Sequence, residues 1–420
     1  MDSLQFDTII IGAGAAGFFA AMTAGHRQKK VLLLEKGPKT GVKILMSGGT
    51  RCNITQDTDT RGIVEAFGRN GKFLNSALAK LNPQDVVHWF RENGVATKRE
   101  PSGKIFPVSD RAVDVRNALL RQVEDLENVT VKTHAAVTRI SHDDSLFEVD
   151  TAADRFRAAS VVITTGGKSY PDCGTNGDGY QWARQFGHTI TETFPALTPI
   201  VCPEAWVKSL KGITVLDVLL GAFENHDLHR ISDKNFQKLA KSADRNSLLF
   251  THFGLSGPAA LNVSKAISAG ICQSPKIVAD FLPDISIDKV VSEFSASDSQ
   301  RRSPKSILQN WVPSRLSQTI CEICQITDGQ NMAECSKIQR QNLVKRLKRC
   351  EIAVEGTRGY KKAEVTSGGV SLKEVNSQTM ESKLVNGLFF AGEVLDLDGP
   401  IGGYNFQSAF STGHLAGLNV

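Results

Sequence analysis

The sequence lacks the long apolar segments and the strong charge that mark membrane proteins and nucleic-acid-binding proteins. No apolar run reaches the roughly 18 residues that a transmembrane helix needs, and only six residues precede the first strand-like segment, too few for a signal peptide. The net charge of +5 is small for 420 residues and does not indicate a nucleic-acid-binding surface. We therefore expect a cytoplasmic protein with a small-molecule substrate, no nucleic-acid partner and no membrane partner; no oligomeric state is indicated.

Paired cysteines are also scarce. The eight cysteines are scattered along the chain, as is usual for proteins of a reducing compartment. Cys321 and Cys324 form a CxxC, but no second pair stands at the spacing of a four-ligand zinc site. We therefore expect no metal ion. Cys52 stands alone, which favours a packed side chain over a reactive thiol.

The beginning of the chain carries the strongest functional pattern. A short apolar run leads into Gly12, Gly14 and Gly17, and a segment of small residues then leads to a second apolar run that ends at Glu35. This pattern predicts a strand, a tight turn, a helix and a strand, with a pyrophosphate bound at the helix N-terminus. A carboxylate at the position of Glu35 accepts a hydrogen bond from a ribose hydroxyl. The segment therefore predicts a dinucleotide-binding domain.

Residues 37–55 form a glycine-rich segment directly after the second predicted strand. Long loops in compact domains are usually functional, and this one contains Lys43 and Arg51 together with Gly48 and Gly49. Backbone N–H groups and fixed cations are suited to phosphate or to the polar edge of a cofactor ring. We expect this loop to lie near the pyrophosphate; the alternative is a solvated loop.

Two later segments repeat the arrangement of a buried strand followed by glycine. One apolar run leads into Gly166, and another leads into Gly392 and Glu393. Gly402 and Gly403 then precede a helix of small residues, whose N-terminus can stabilise the negative charge of a reduced flavin. A cofactor that is held by both ends of the chain must run across the sheet, which favours FAD over NAD.

The composition changes near residue 194. Short alternating apolar runs follow and predict a β-rich insert, after which a polar, helical pattern takes over. The basic repeat at 339–349 is interpreted as the solvated face of a helix rather than as a DNA-binding helix. We expect a discontinuous cofactor domain, a β-rich insert and a helical subdomain. Their predicted boundaries are 1–193 with 357–420, 194–283 with 351–356, and 284–350.

Several longer motifs make the sequence similar to the YhiN/BaiN-type flavoproteins. The motifs include ILMSGGTRCNIT, TTGGKSYPDCGTNGDGY, LLFTHFGLSGPAAL, TSGGVSLKEV and LFFAGEVLDLDGPIGGYNFQSAFSTG. Members carry names such as NAD(P)/FAD-dependent oxidoreductase and aminoacetone oxidase family FAD-binding enzyme. The resemblance covers nearly the whole chain and implies an α/β, glutathione-reductase-like (Rossmann-type) FAD-binding domain. It also implies an inserted β-barrel-like domain with a small helical subdomain.

The resemblance further implies which residues hold FAD. It places the pyrophosphate at the first glycine motif and the adenosine at Glu35, Lys36 and the backbone of Val137. Glu393 takes the place of the ribityl-binding acid, and the C-terminal motif meets the isoalloxazine. Thr50 departs from the family pattern, which commonly has glycine there. The implied cofactor-binding residues are Gly12, Gly14, Ala15, Ala16, Gly17, Glu35, Lys36, Lys43, Gly48, Gly49, Arg51, Cys52, Asn53, Val137, Thr165, Gly166, Gly392, Glu393, Gly402, Gly403, Tyr404, Asn405 and Phe406.

The predicted function is an FAD-dependent oxidoreductase with a non-covalent flavin. One version is a reductase that takes electrons from NAD(P)H and saturates an activated C=C bond, as the resemblance to bile-acid reductases implies. A second is an oxidase of a small amine that produces hydrogen peroxide. An alternative from another class is a flavin-containing module that binds RNA or a protein. Tyr170, His252 and Tyr404 are the candidates for substrate-facing groups, and no acid–base pair is identified.

Overall fold

The computed structural model describes residues 4–143, 145–225, 228 and 231–420. The strands in these residues are β1 Leu4–Ile11, β2 Val31–Leu34, β3 Thr55–Gln56, β4 Thr97–Arg99, β5 Lys104–Pro107, β6 Val129–Lys132, β7 Val137–Asp143, β8 Leu146–Thr151, β9 Arg155–Ile163, β10 Phe194–Ala196, β11 Ile200–Val201, β12 Thr214–Glu224, β13 Ser242–Phe250, β14 Gly254–Ser256, β15 Pro275–Asp280, β16 Cys350–Ala353, β17 Gly356–Thr357, β18 Val365–Ser367 and β19 Leu388–Phe390. The helices are α1 Ala15–His26, α2 Val42–Met46, α3 Thr60–Ala66, α4 Asn75–Lys80, α5 Pro83–Glu92, α6 Ala112–Glu124, α7 Asp178–Gln185, α8 Ala205–Ser209, α9 Phe236–Leu239, α10 Gly257–Val263, α11 Lys265–Ser268, α12 Ile287–Ser295, α13 Ser297–Gln300, α14 Pro304–Leu308, α15 Ser314–Ile323, α16 Lys337–Lys348 and α17 Tyr404–Asn419.

The chain divides into two compact units. The first comprises Met1–Phe194 and Glu364–Val420, and the second comprises Pro195–Ala363. Residues 357–363 were expected in the cofactor domain, but they belong to the second unit. The reason is that β17 pairs with β11 inside the sheet of that unit.

The first unit is built on a seven-stranded sheet. Its order is β6-β2-β1-β9-β8-β7, and β19 adds to the end of β9. The pairs that join β6, β2, β1, β9 and β19 are parallel, whereas β7, β8 and β9 form an antiparallel meander. All four residues of β2 are buried, as expected for a central parallel strand covered on both faces. The carboxyl ends of β1, β2, β9 and β19 therefore share one edge of the sheet, where ligands bind in such folds.

Helices α1 and α17 pack against each other beside this sheet. A Cβ atom on Gly413 would lie 2.2 Å from the carbonyl oxygen of Ala16, and one on Gly417 would lie 2.6 Å from that of Ala20. The two backbones therefore approach more closely than any larger residue allows. Residues 16–25 of α1 are all buried, so the helix depends on α17 and its other neighbours for cover.

The second unit combines an antiparallel sheet with helices. The strand order is β16-β15-β12-β13-β14-β11-β17. One hydrophobic core contains side chains from this sheet and from the helices of the segment 284–350, among them Ile277, Phe294 and Leu343. The sheet and the predicted helical subdomain therefore share a core.

The basic repeat forms α16, whose cations are bound within the second unit. Lys348 is 2% exposed and lies 2.7 Å from the carboxylate of Asp280, and Lys345 pairs with Glu351 at 2.8 Å. Arg340 donates to two backbone carbonyls. These contacts give a structural reason for three of the basic residues of the repeat.

Two features bear on membrane and metal binding. No helix among the residues described above is long and apolar enough to cross a bilayer. In the same residues, the histidine, cysteine and acidic side chains form no group of three that is suited to a metal ion.

Candidate functional site

The turn between β1 and α1 contains three glycines in different environments. Gly12 has φ +107°, and a Cβ there would lie 2.7 Å from the carbonyl oxygen of Thr164; a Cβ on Gly17 would lie 2.0 Å from that of Gly12. At Gly14, by contrast, no heavy atom of the described residues other than its own chain neighbours lies within 4 Å of the Cβ position. Packing therefore requires Gly12 and Gly17, whereas Gly14 faces open space.

The N-terminus of α1 opens toward that space. Gly14 is the N-cap residue and gives no side-chain cap, and the first turn, which includes Ala15 and Ala16, contains no acidic residue. The first N–H groups of a helix have no partner within the helix and favour an anion. This end of α1 is therefore suited to phosphate.

Glu35 follows β2 at the same edge of the sheet. Its carboxylate accepts from the backbone N–H of Ala13 at 3.2 Å and from that of Gly37 at 2.8 Å. Lys36 instead forms an ion pair with Asp178 at 2.6 Å. Val137 begins β7 and is half-buried. Glu35 is thus oriented beside the glycine turn, while Lys36 is bound by a carboxylate of the first unit.

The glycine-rich segment after β2 forms α2 and a short 3₁₀ turn rather than an open loop. Gly48 and Gly49 have φ of +54° and +67°. Thr50, at the position where glycine is common in the family, has φ +69°, a conformation that costs a β-branched residue energy. The turn is therefore held in a strained backbone geometry.

Arg51, Cys52 and Asn53 serve the structure of this turn. The Arg51 guanidinium lies 2.6 Å from Glu100 and 2.7 Å from Asp110, and the hydrogen bond to Glu100 is the main cause that raises its pKa. Arg51, which was expected to approach phosphate or the cofactor ring, is thus paired with two carboxylates and keeps 34% of its side chain exposed. Cys52 is fully buried, and burial raises its thiol pKa to about 12, so it is a packed side chain. Asn53 is buried and donates to two backbone carbonyls.

A polar cluster lies where the ends of β9 and β19 meet. The Lys43 ammonium is 2.5 Å from one carboxylate oxygen of Glu393 and 2.7 Å from the Ser169 hydroxyl. The other Glu393 oxygen accepts from Ser169 at 2.7 Å and from the backbone N–H of Thr366 at 2.9 Å. The side chains of Lys43 and Glu393 are 26% and 18% exposed. Glu393 is therefore oriented by three partners and retains access to solvent.

Tyr170 and Glu364 form a second polar pair beside this cluster. Their side chains are 3.3 Å apart at the Tyr170 hydroxyl and Glu364 Oε1. Burial raises the pKa of Tyr170 to about 12 and is the main cause that raises the pKa of Glu364, which the charge of Lys43 opposes. The Tyr170 hydroxyl therefore stays protonated near neutral pH and donates its hydrogen bond to Glu364.

The glycines at the ends of β9 and β19 bring the backbone close to the same region. Gly166 has φ +71°, and the hydroxyl of the preceding Thr165 is buried with no hydrogen-bond partner among the described residues. A Cβ on Gly392 would lie 2.8 Å from the side chain of Ala16. A buried hydroxyl without a partner is costly in a folded protein, and a bound ligand could supply the partner.

The start of α17 is packed on the strand β3. Gly403 has φ +90°, and a Cβ there would lie 2.5 Å from the carbonyl carbon of Thr55. Asn405 closes the preceding turn, because its side chain both accepts from the N–H of Gly399 and donates to its carbonyl. Gly402 has φ +142°. The turn is therefore tightly built.

The aromatic residues at this helix start are partly exposed. Burial raises the pKa of the half-buried Tyr404, and Phe406 stacks on Phe410 with ring centroids 5.7 Å apart. No side chain caps α17, and its first turn carries no acidic residue. The helix N-terminus is thus available to an electron-rich group.

The structure brings Tyr170 and Tyr404 into the first unit but leaves His252 in the second unit, where its side chain is exposed and lies against Phe253. Sequence reasoning missed Ser169, Glu364 and Thr366 as members of the site. For Thr366 a signal was present, because the TSGG motif repeats the pattern of a buried strand followed by glycine. The other two depend on contacts between distant segments.

The residues present fit FAD. Open space lies over Gly14, the N-terminus of α1 is uncapped, and the buried Thr165 hydroxyl lacks a partner among the described residues. Glu35 stands at one end of this edge, and Glu393 stands where a second strand ends. Such an arrangement is typical of a dinucleotide that lies across the ends of parallel strands.

Comparison with known proteins agrees with this geometry. The family model described as "HI0933-like protein Rossmann domain" matches residues 6–419. The chain is 34% identical over 411 residues to the ribosomal RNA dihydrouridine synthase of Escherichia coli K12. This match covers 97% of this chain and 96% of the relative. It is 29% identical over 419 residues to the 3-dehydro-bile acid delta(4,6)-reductase of Clostridium scindens, covering 97% of each.

A solved structure with a similar fold is the 3-ketosteroid-delta4-(5alpha)-dehydrogenase of Rhodococcus jostii RHA1. The TM-score is 0.54 at 12% identity, and the match covers 99% of this chain and 96% of the other. The likeness confirms the Rossmann-type α/β fold, and the family match confirms the resemblance seen in the motifs. The chain therefore belongs to the HI0933-like family of flavoproteins and is an FAD-dependent oxidoreductase of that family.

Proposed function

We propose that this protein is an FAD-dependent reductase that saturates the C5=C6 bond of a uridine in ribosomal RNA. The observation that carries the proposal is the 34% identity, over nearly the full length of both chains, to a ribosomal RNA dihydrouridine synthase. Saturation of this bond adds a hydride equivalent to one carbon and a proton to the other. The candidate site contains the groups that such a reaction needs.

The cofactor contacts are part of the proposal. The N–H groups at the start of α1 bind the pyrophosphate, and Glu35 accepts from the adenosine ribose. Glu393, oriented by Lys43 and Ser169, accepts from the ribityl chain, and the start of α17 faces the flavin. When bound, FAD supplies the two-electron transfer, and NAD(P)H supplies the electrons as a transient reductant.

Tyr170 is the proposed proton donor. Its hydroxyl is protonated at neutral pH, as in any ordinary tyrosine, and burial raises its pKa further, to about 12. Reduction of uracil leaves negative charge on the carbon next to a carbonyl, and the Tyr170 hydroxyl gives its proton to that carbon. The Tyr170 hydroxyl donates to Glu364 Oε1 at 3.3 Å, so this carboxyl group is placed to pass a proton back to the tyrosine after each turnover.

The test uses ribosomal RNA from a strain in which the gene is deleted. The purified protein with bound FAD is incubated with this RNA and NADPH or NADH, and the RNA is digested and analysed by mass spectrometry. We expect one uridine to gain two hydrogens, and we expect Tyr170→Phe to lower the rate by about 100-fold, within the usual range for a general acid. If the flavin is reduced by NAD(P)H but the RNA gains no hydrogen, the proposed substrate is wrong.

A second candidate is the reduction of a small molecule that contains a C=C bond conjugated to a carbonyl. It is favoured by the 29% identity to a bile acid reductase over 97% of both chains. Uracil contains the same conjugated arrangement, so one site chemistry serves both substrates. A steroid dienone added to the reduced protein under anaerobic conditions distinguishes them. Hydrogen peroxide formed from a small amine in air would instead support the oxidase version.

A further inference from the structure

A groove of about 340 Å³ lies in the first unit between α5 and the small sheet of β3, β4 and β5. Ligand pockets usually have volumes of about 300–1,000 Å³, so this groove has room for about one nucleotide. The side chains that decide its chemistry are Gln56, Gln84, Arg91, Lys98, Arg99 and Ile105.

The charge of the groove is positive. Arg91, Lys98 and Arg99 line it together with one carboxylate, Asp57. Arg99 pairs with Asp57 at 2.5 Å, and Lys98 pairs with Asp110, a carboxylate that also binds Arg51. Arg91 donates to the neutral Thr97 hydroxyl at 2.9 Å. The lining therefore holds more positive than negative charge and is suited to phosphate.

The uncharged part of the lining is suited to a base. The side-chain amides of Gln56 and Gln84 donate to the carbonyls of Ser102 and Thr58, so their oxygens are the groups that face a ligand as acceptors. Val87 and Ile105 add apolar surface. The Gln56 carbonyl oxygen is buried without a hydrogen-bond partner among the described residues. A base N–H group would satisfy this oxygen, and satisfying a buried acceptor is favourable.

The walls of the groove are fixed to the start of α17. The Thr55 hydroxyl, on β3, donates to the side-chain oxygen of Gln407 at 2.7 Å, and the Gln407 amide donates to the carbonyl of Leu81 at 3.0 Å. Leu81 lies two residues before α5 begins. Gln407 is fully buried, so both walls are anchored to the first turn of α17.

The groove also adjoins the turn that is proposed to face the flavin. The Gln56 side-chain oxygen lies 3.2 Å from the Cβ position of Gly402, and Gly403 packs on Thr55. A ligand in the groove is therefore a direct neighbour of the proposed reaction site. A substrate with only one reacting ring would not need this second site, whereas an RNA strand would continue into it.

From these observations we propose that the groove binds the RNA nucleotide adjacent to the uridine that is reduced, with its phosphate on Arg91 and Arg99 and its base on Gln56. This inference rests on the proposed function. Sequence-specific recognition of RNA mostly uses single-stranded segments whose bases are splayed out, which agrees with the size of the groove.

The test compares Arg91→Ala with Arg99→Ala, their combination, and the control Arg61→Ala. Arg61 is 84% exposed on α3 and pairs with Glu65, so the control removes the same charge outside the groove. All variants are loaded with FAD. Binding of fluorescent single-stranded fragments of the ribosomal RNA is measured at several salt concentrations, together with flavin reduction by NADPH.

We expect each groove variant to weaken RNA binding by about 10-fold. The salt slope, which is the slope of the logarithm of the affinity against the logarithm of the salt concentration, should become shallower by about 0.7 per lost phosphate contact. Flavin reduction by NADPH and the behaviour of Arg61→Ala should match the wild type. Gln56→Leu should weaken RNA binding without changing the salt slope, because no charge is lost.

Two outcomes would overturn the inference. RNA binding that is equal in the double variant and in Arg61→Ala shows that the groove does not hold the RNA. Slower flavin reduction by NADPH with unchanged RNA binding assigns the groove to the reductant instead. If the wild type forms dihydrouridine, either result contradicts the groove inference and leaves the proposed function intact. If the wild type binds RNA in the groove but forms no dihydrouridine, the proposed function is wrong and the groove inference stands.

Discussion

The two helices that begin at the candidate site, α1 and α17, both follow glycines but use them differently. At the start of α1, the Cβ position of Gly14 faces space with no described atom within 4 Å. At the start of α17, a Cβ on Gly403 would lie 2.5 Å from the carbonyl carbon of Thr55. The first glycine leaves room for a ligand, and the second lets two backbone segments pack. The same sequence pattern therefore leaves space for a ligand at the start of α1 and allows close backbone packing at the start of α17.

The two acidic residues of the site, Glu35 near the N-terminal end of the chain and Glu393 near the C-terminal end, are oriented by different kinds of contact. Glu35 is held by two backbone N–H groups near the chain start, whereas Glu393 is held by Lys43, Ser169 and the N–H of Thr366 from distant segments. The first end is a local motif, and the second is built by tertiary contacts. Substitutions at the two ends should therefore separate cofactor binding from stability.

The largest expected effect is the loss of stability in Gly403→Ala. The new Cβ meets the backbone of Thr55 at 2.5 Å, and φ +90° strains any non-glycine residue. We expect a loss of about 3–5 kcal/mol in the free energy of unfolding, measured by urea denaturation. The control is Gly94→Ala, at φ +80° with no described atom within 4 Å, which should lose only about 1–2 kcal/mol. Equal losses in the two variants would show that contact with Thr55 is unimportant.

Gly14→Ala should lower the affinity for FAD and leave the stability of the FAD-free protein almost unchanged. The residue has φ −93° and ψ −166°, an extended conformation that alanine adopts freely, so stability without FAD should change by less than about 0.5 kcal/mol. FAD affinity should fall by about 100-fold, or about 2.7 kcal/mol, because the methyl group fills the space proposed for the pyrophosphate. Fluorescence titration of the FAD-free protein measures the affinity. Wild-type affinity in this variant would place the pyrophosphate elsewhere.

The smallest expected effect is a change in the pH dependence of stability in Glu364→Gln. Burial is the main cause that raises the pKa of this carboxyl in the folded state, while Lys43 and Tyr170 oppose the shift and Glu393 adds to it. The folded state therefore binds more protons than the unfolded state above the ordinary glutamate pKa, and stability falls as pH rises through the raised value. Glu364→Gln should remove this part of the fall, a change of less than about 1 kcal/mol. Urea denaturation at several pH values, with Glu65→Gln as an exposed control, measures it; an unchanged pH profile would contradict the buried carboxyl.

The sequence predicted the parts of the site that are local. The glycine turn, α1 and Glu35 lie within one short segment, so their spacing alone indicated a dinucleotide site. The part played by Arg51 could not be predicted, because its partners Glu100 and Asp110 lie 49 and 59 residues away in the chain. Gln407 is hidden for the same reason, since it joins Thr55 to Leu81.

Substrate class was the other limit. The small net charge of +5 argued against nucleic acid, and the basic repeat of α16 is bound within its own unit. The net charge of a whole chain does not reveal a single groove that is lined by three cations. Recognition of one RNA nucleotide needs no more than that, so the bulk composition was a poor guide to the substrate that we propose.

The packing of α17 on α1 sets the order in which the protein can mature. Residues 404–419 leave the ribosome after the whole second unit has been translated, yet Gly413 and Gly417 cover the buried side of α1. A nascent chain therefore carries the glycine turn without this cover until residues 404–419 have been translated. A chain that stops before α17 consequently leaves part of the apolar surface of α1 uncovered, where chaperones and proteases can bind.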